Sequence, residues 1–291
     1  MFKGSIVAIV TPFKDGKIDE EAFRQLIEFQ IENGTSAIVP CGTTGESATL
    51  SMDEHNRVID ICIEAVNKRI PVIAGTGGNN TEEAIELTAH AKKAGADATL
   101  QVTPYYNKPT QQGLYEHFRA IAKAVPLPQV LYNVPGRTSV NMLPETVARL
   151  AETEEIVAIK EASGNLAQMA EIMKLAGDKI ILLSGDDNIT LPVLSIGGKG
   201  VISVVANIAP KETAEIISAW ENKETDKAQE LFINMTPLCQ AMFYETNPIP
   251  VKTALALMNK CTDEMNLPLT PMSETNLNRL KDVLRQYGLI D

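Results

Sequence analysis

The chain has 291 residues, 44% hydrophobic and 22% charged, the balance of a globular protein with a large core. Its 26 basic and 37 acidic residues leave a formal charge of −11 with no basic block, which argues against nucleic acid and anionic membranes as partners. No apolar run is long enough to span a bilayer, and the short run Ile6 to Val10 is followed by no cleavage site, so a cytoplasmic location is expected.

Short β-branched runs bounded by Gly, Pro, Asn and Asp predict eight strands. They are Ser5–Thr11, Ser36–Cys41, Pro71–Gly75, Ala98–Thr103, Gln129–Val134, Ile156–Ala162, Ile180–Gly185 and Gly200–Ala206. After the first strand, Phe23, Ile27 and Ile31 share one face of a helix over Glu20–Glu32, with Gly34 as its C-terminal cap. Ser51 and Glu54 form a capping box for the next helix. Asn80, with Glu83 three residues on, opens a third, and Pro144 sits in the first turn of a fourth. The strands are nearly continuous apolar runs, as in a parallel sheet buried on both faces. This α/β pattern predicts a (β/α)8 TIM barrel over residues 1–224. Residues 225–291 read as a helical region, with helices near Ala228–Tyr244, Val251–Met258 and Ser273–Tyr287 divided by Asn247-Pro-Ile-Pro250 and Leu267-Pro-Leu-Thr-Pro271.

A doubly wound nucleotide-binding sheet is the competing architecture. Its glycine fingerprint fails, because Gly75-Thr-Gly-Gly-Asn-Asn80 lacks the last glycine and Gly197-Gly-Lys-Gly200 precedes a strand instead of following one. The four cysteines, Cys41, Cys62, Cys239 and Cys261, show no Cys-x-x-Cys spacing and read as reduced thiols, Cys41 as a small buried filler.

Barrel active sites lie at the carboxyl ends of the strands. Those ends carry Gly42-Thr-Thr-Gly-Glu-Ser47, Thr103-Pro-Tyr-Tyr-Asn107, Tyr132-Asn-Val-Pro-Gly-Arg137, Lys160 and Ser184-Gly-Asp-Asp187. Lys160 stands in the apolar run Ile156-Val-Ala-Ile-Lys-Glu-Ala-Ser163, where burial favours the free amine, the form that attacks carbonyls. The competing reading pairs it with the adjacent Glu161. His55, His90 and His117 all fall in helices, so imidazole is a poor candidate for acid, base or metal ligand. Proton transfer then falls to tyrosine, lysine or carboxylate, and Tyr132, one strand from Lys160, is well placed unless it is an ordinary core tyrosine. Thr43 and Thr44 could hold a carboxylate or simply form a tight turn, and Arg137 could grip a carboxylate or be solvated. Tyr105 and Tyr106 form an aromatic pair on a loop. Asp186 and Asp187 read better as helix caps than as cation ligands, and no metal site is expected.

Together Gly42-Thr-Thr-Gly-Glu46, Tyr132-Asn-Val-Pro135, Ile159-Lys-Glu-Ala162 and Asn247-Pro-Ile-Pro250 resemble the pyruvate-dependent Schiff-base aldolases of the dihydrodipicolinate synthase and N-acetylneuraminate lyase superfamily, over essentially the whole chain. Thr43-Thr44, Pro104-Tyr-Tyr-Asn107 and Arg137 point away from the sugar-acid lyases. The resemblance implies condensation of pyruvate with L-aspartate 4-semialdehyde through a Schiff base on Lys160, giving 4-hydroxy-tetrahydrodipicolinate at the first committed step of diaminopimelate and lysine biosynthesis. It implies no cofactor. It makes Tyr132 the acid/base, linked through Thr43 to Tyr106 of a neighbouring subunit. Thr44 would bind the pyruvate carboxylate, Arg137 the carboxylate of the semialdehyde, and backbone around Gly185 and Ile202 would line the pyruvate pocket. It also implies a homotetramer of two tight dimers. A regulatory L-lysine site would comprise Ser47, Ala48, His55, Asn79, Glu83 and Tyr105, with Met52 departing from the pattern of strongly inhibited relatives. The competing functions are a pyruvate-releasing 2-keto sugar acid lyase and a non-catalytic small-molecule sensor.

Overall fold

The computed structural model describes residues 2–291. Eight parallel strands form the core: β1 (Gly4–Ala8), β2 (Ala37–Val39), β3 (Ile73–Gly75), β4 (Ala98–Val102), β5 (Gln129–Asn133), β6 (Ile156–Glu161), β7 (Ile181–Ser184) and β8 (Gly200–Ser203). They pair in the order β2-β1-β8-β7-β6-β5-β4-β3, and a parallel bridge between Ile38 and Val72 joins the two ends into a closed barrel. Helices follow the strands, as the sequence predicts. All eight expected strands are present, and seven stop short of the expected carboxyl end. Those last residues leave the ladder to build the loops at the barrel mouth. A hairpin of Phe13–Lys14 against Lys17–Ile18 was not expected.

Alternation along the strands separates two environments. Ile6, Val39, Ile73, Leu100, Val130, Ala158, Leu183 and Ile202 fill the barrel interior. Their neighbours Val7, Ile38, Leu131, Ile159 and Leu182 face the surrounding helices. Because Tyr132 shares the parity of Val130, and Lys160 that of Ala158, both side chains point inward at the barrel mouth.

The helix signals act as the sequence suggests. Ser51 and Glu54 form a reciprocal capping box at helix Met52–Val66. Asn80 caps helix Thr81–Ala94, and Pro144 opens helix Pro144–Leu150. Helix Glu20–Glu32 ends on Asn33; Gly34 follows at φ +84°, a left-handed conformation that suits glycine. The chain beyond residue 224 forms helices Thr225–Ala241, Ile249–Leu257 and Glu274–Gln286. Leu238, Val251, Leu255, Leu280 and Leu284 lie in one apolar cluster with Val7, Ile38 and Val205 of the barrel, so this region shares a core with it. No helix among the described residues is long and apolar enough to cross a membrane.

His55, His90 and His117 all lie in helices. Burial pushes both His55 and His117 down to about 4. An unfolded histidine titrates near ~6.5, so the unfolded chain binds more protons between these values. The stability tied to the neutral rings is therefore complete above pH ~6.5 and lost as pH falls towards 4. The full shift corresponds to ~3 kcal/mol per ring. Urea midpoints measured from pH 7 to 4 should fall less steeply for His117→Gln than for the parent; identical slopes would refute this account.

Candidate active site at the mouth of the barrel

Lys160, on β6, pairs in register with Tyr132 on β5, and both face the interior. Lys160 is 4% exposed, and its Nζ lies 4.2 Å from the centroid of the Tyr132 ring. The ring face stabilises a cation there without donating a proton or forming an ion pair. Glu161 does not serve as the counter-ion that the sequence left open. Alternation turns it to the outer face, where it accepts hydrogen bonds from Asn133 Nδ2 (2.9 Å), Gln168 Nε2 (3.2 Å) and Ser163 N (2.7 Å). Burial pushes the Glu161 carboxyl above the usual carboxylate range, against the pull of those donors.

A cavity of about 300 Å³ opens over Lys160. Tyr132, Thr43, Thr44, Arg137 and Gly185 all line it. Gly185 is needed for close approach, since a Cβ there would lie 2.6 Å from Ala162 Cβ and 3.1 Å from Lys160 Cγ. Ile202 is fully buried in the barrel interior, and Val204, two residues on, reaches the cavity wall in its place.

The threonine turn is folded on itself by Gly45 N to Gly42 O (3.1 Å) and Glu46 N to Thr43 O (3.1 Å). It is then tied to residues some two hundred positions away. Asn247 Nδ2 donates to Thr44 Oγ1 at 3.0 Å, and the Asn247 carbonyl accepts from Arg137 Nη2 at 3.0 Å. Glu46, in left-handed backbone at φ 57°, forms an ion pair with Lys252 at 2.5 Å and accepts from Asn266 N at 3.0 Å. Lys252 Nζ also lies 4.2 Å from the centre of the Phe13 ring. Burial pushes the Lys252 ammonium below its usual range, and Glu46 opposes that shift. The sequence marked Glu46 and Asn247 within motifs, but it named neither as a partner and did not single out Lys252.

A second cavity of about 480 Å³ adjoins the first, sharing Thr43, Val134, Arg137 and Asn247 with it. Ser47, Ala48, His55, Asn79, Glu83 and Tyr105 all line this groove, as does Met52. Asn79 fixes the aromatic loop, its Oδ1 accepting from Tyr105 N at 3.1 Å and its carbonyl from Asn107 Nδ2 at 3.0 Å. Tyr106 stands apart from both cavities, 93% exposed and held at φ 65°.

Asp186 caps the short turn after β7, accepting from Asn188 N at 2.9 Å. Asp187 does not cap in that way. Its buried Oδ2 accepts from Val204 N (2.9 Å) and Val205 N (3.1 Å), bracing the loop after β8. Burial pushes the Cys41 and Cys62 thiols far up, so neither is a reactive thiolate. Among the described residues no three His, Cys, Asp or Glu side chains are grouped to hold a metal ion.

The profile of the Dihydrodipicolinate synthetase family matches residues 1–287. A 4-hydroxy-tetrahydrodipicolinate synthase of Geotalea uraniireducens (strain Rf4) is 62% identical over 290 residues, covering 100% of both chains. The crystal structure of dihydrodipicolinate synthase from Aquifex aeolicus superposes with a TM-score of 0.98 at 51% identity, covering 99% of each chain. The same enzyme from Cyanidioschyzon merolae, with lysine bound, superposes with a TM-score of 0.96 at 44% identity, again over 99% of each chain.

Proposed function

The chain belongs to the Dihydrodipicolinate synthetase family, and from that premise we propose that Lys160 is the Schiff-base residue of its reaction. The protein is a lyase that condenses pyruvate with L-aspartate 4-semialdehyde to 4-hydroxy-tetrahydrodipicolinate, in the route to diaminopimelate and lysine. The observation that carries the residue assignment is Lys160 beside Tyr132, in register, on the floor of the mouth cavity.

In this reading the Lys160 amine adds to the keto carbon of pyruvate and water leaves, forming an iminium. Loss of a methyl proton gives the enamine, whose carbon attacks the aldehyde carbon of the semialdehyde, and the resulting alkoxide is protonated. The substrate amine then adds to the iminium carbon, the C–N bond to Lys160 breaks, and the ring closes with the lysine restored. Tyr132 carries protons to and from these atoms. Thr44 and the amides of its turn receive the pyruvate carboxylate, and Arg137 receives that of the semialdehyde. None of these steps requires a metal or an organic cofactor. Borohydride reduction in the presence of pyruvate should leave a stable adduct on the Lys160 peptide; an adduct on another lysine, or none, overturns the assignment.

Thr43 would pass protons between Tyr132 and Tyr106 of a second copy of the chain. Support comes from Tyr106 itself, which is almost fully exposed and reaches neither cavity of its own chain. The tight dimer this requires, and its pairing into a tetramer, are part of the same proposal. Tyr106→Phe should lower kcat by ~100-fold or more, within the usual range for a lost proton-transfer group, while the pyruvate adduct still forms. Unchanged turnover would remove the relay.

The groove that gathers all six expected regulatory residues is proposed to bind L-lysine, as the relative from Cyanidioschyzon merolae does. Glu83 offers the carboxylate for an ammonium group. Calorimetric titration with L-lysine should show binding that Glu83→Gln weakens, and equal affinities would exclude this site.

A further inference from the structure

The mouth cavity is lined by two cationic side chains, Lys160 and Arg137, and by one carboxylate, Asp186. Asp186 is held firmly in place. Its Oδ1 accepts from Asn188 N at 2.9 Å and Asn188 Nδ2 at 3.1 Å, which sets the plane of the carboxyl group. Its backbone is held too, the carbonyl accepting from Ser184 Oγ at 2.7 Å. Its Oδ2 accepts no hydrogen bond among the described residues, so one carboxylate oxygen stays free in a partly buried site.

L-Aspartate 4-semialdehyde carries a carboxylate and an ammonium group on the same carbon. Arg137 can satisfy the first and cannot satisfy the second, because guanidinium only donates. A cavity otherwise positive would repel the ammonium unless one acceptor of opposite charge stood in its wall. We propose that Asp186 receives the α-ammonium of the semialdehyde, so that Arg137 and Asp186 together recognise its amino-acid end. This inference rests on the reaction assigned above. It makes Asp186 a specificity residue, binding the second substrate and leaving the pyruvate adduct untouched.

The test compares two aldehydes, L-aspartate 4-semialdehyde and succinate semialdehyde, which has the same carbon chain without the amine. Asp186→Asn keeps the size and one acceptor oxygen and removes the charge. Losing a charge-assisted hydrogen bond should raise KM for the amine-bearing substrate by about 10- to 100-fold. The KM for pyruvate, borohydride trapping on Lys160, and the inhibition constant of succinate semialdehyde should stay at parental values. An unchanged KM for L-aspartate 4-semialdehyde overturns the proposal. So does an equal loss of affinity for succinate semialdehyde, which would mean a general distortion of the wall. Loss of trapping in Asp186→Asn alone would assign the carboxylate to Lys160 instead. Failure of trapping in the unsubstituted protein would be the failure of the Schiff-base reading.

Discussion

Replacing Lys160 with arginine is expected to lower turnover by ~10⁴-fold or more, the scale on which a well-placed covalent group accelerates a reaction. Arginine preserves the positive charge and can keep the contact with the Tyr132 ring, which lies 4.2 Å from Nζ in the parent. It supplies no nucleophile, because the guanidinium stays protonated. The variant should therefore fold, melt near the parent temperature and give no borohydride adduct. Retention of more than a few per cent of the parent rate would show that the covalent step lies elsewhere. A cavity that had merely buried a structural lysine would tolerate the change.

Lys252→Met should destabilise the fold strongly and disturb the site with it. The Lys252 and Glu46 side chains are both fully buried and 2.5 Å apart. Removing one partner leaves a carboxylate in the core, which costs about 3–5 kcal/mol. For a domain of this size that is a fall in melting temperature on the order of 10 °C. Glu46 belongs to the turn that presents Thr43 and Thr44, so the KM for pyruvate should rise in the same variant. The double variant Glu46→Gln with Lys252→Met should recover most of the stability, since no charge remains buried and the glutamine carbonyl can still accept from Asn266 N. Melting curves for the single and double variants check this directly. A single variant as stable as its parent would contradict the buried-pair account.

Much of the barrel was legible in the chain because its strands are buried on both faces. Continuous apolar runs between turn residues mark them without any knowledge of their neighbours. The strand ends were less legible. Val204 and Val205 have the chemistry of strand residues, yet they leave the ladder at Ser203 and are bound by Asp187 from the preceding loop. The same contact explains why Asp187 is not a simple cap. Its acceptor is used across space, and its local sequence favours a turn.

Lys160 was visible as a charge in an apolar strand, and Tyr132 as a phenol one strand away. Their juxtaposition and the exclusion of Glu161 from it needed strand register, because a one-residue shift would put the carboxylate inside and the amine outside. Asn247 and Lys252 carried no local sign of their partners, since Thr44 and Glu46 lie more than two hundred residues earlier in the chain.

By itself the sequence determined the order of strands and helices, the burial of each strand, and the residue types that gather where strands end. Those properties follow from local periodicity and turn chemistry, which act over a few residues. Only the tertiary structure decided which of those residues share a cavity and which face away from it. It also decided that the C-terminal region holds the threonine turn, through Asn247 in the turn before helix Ile249–Leu257 and Lys252 within that helix. Such contacts are selected by closing the barrel and packing distant segments into one core, and no short stretch of chain encodes them.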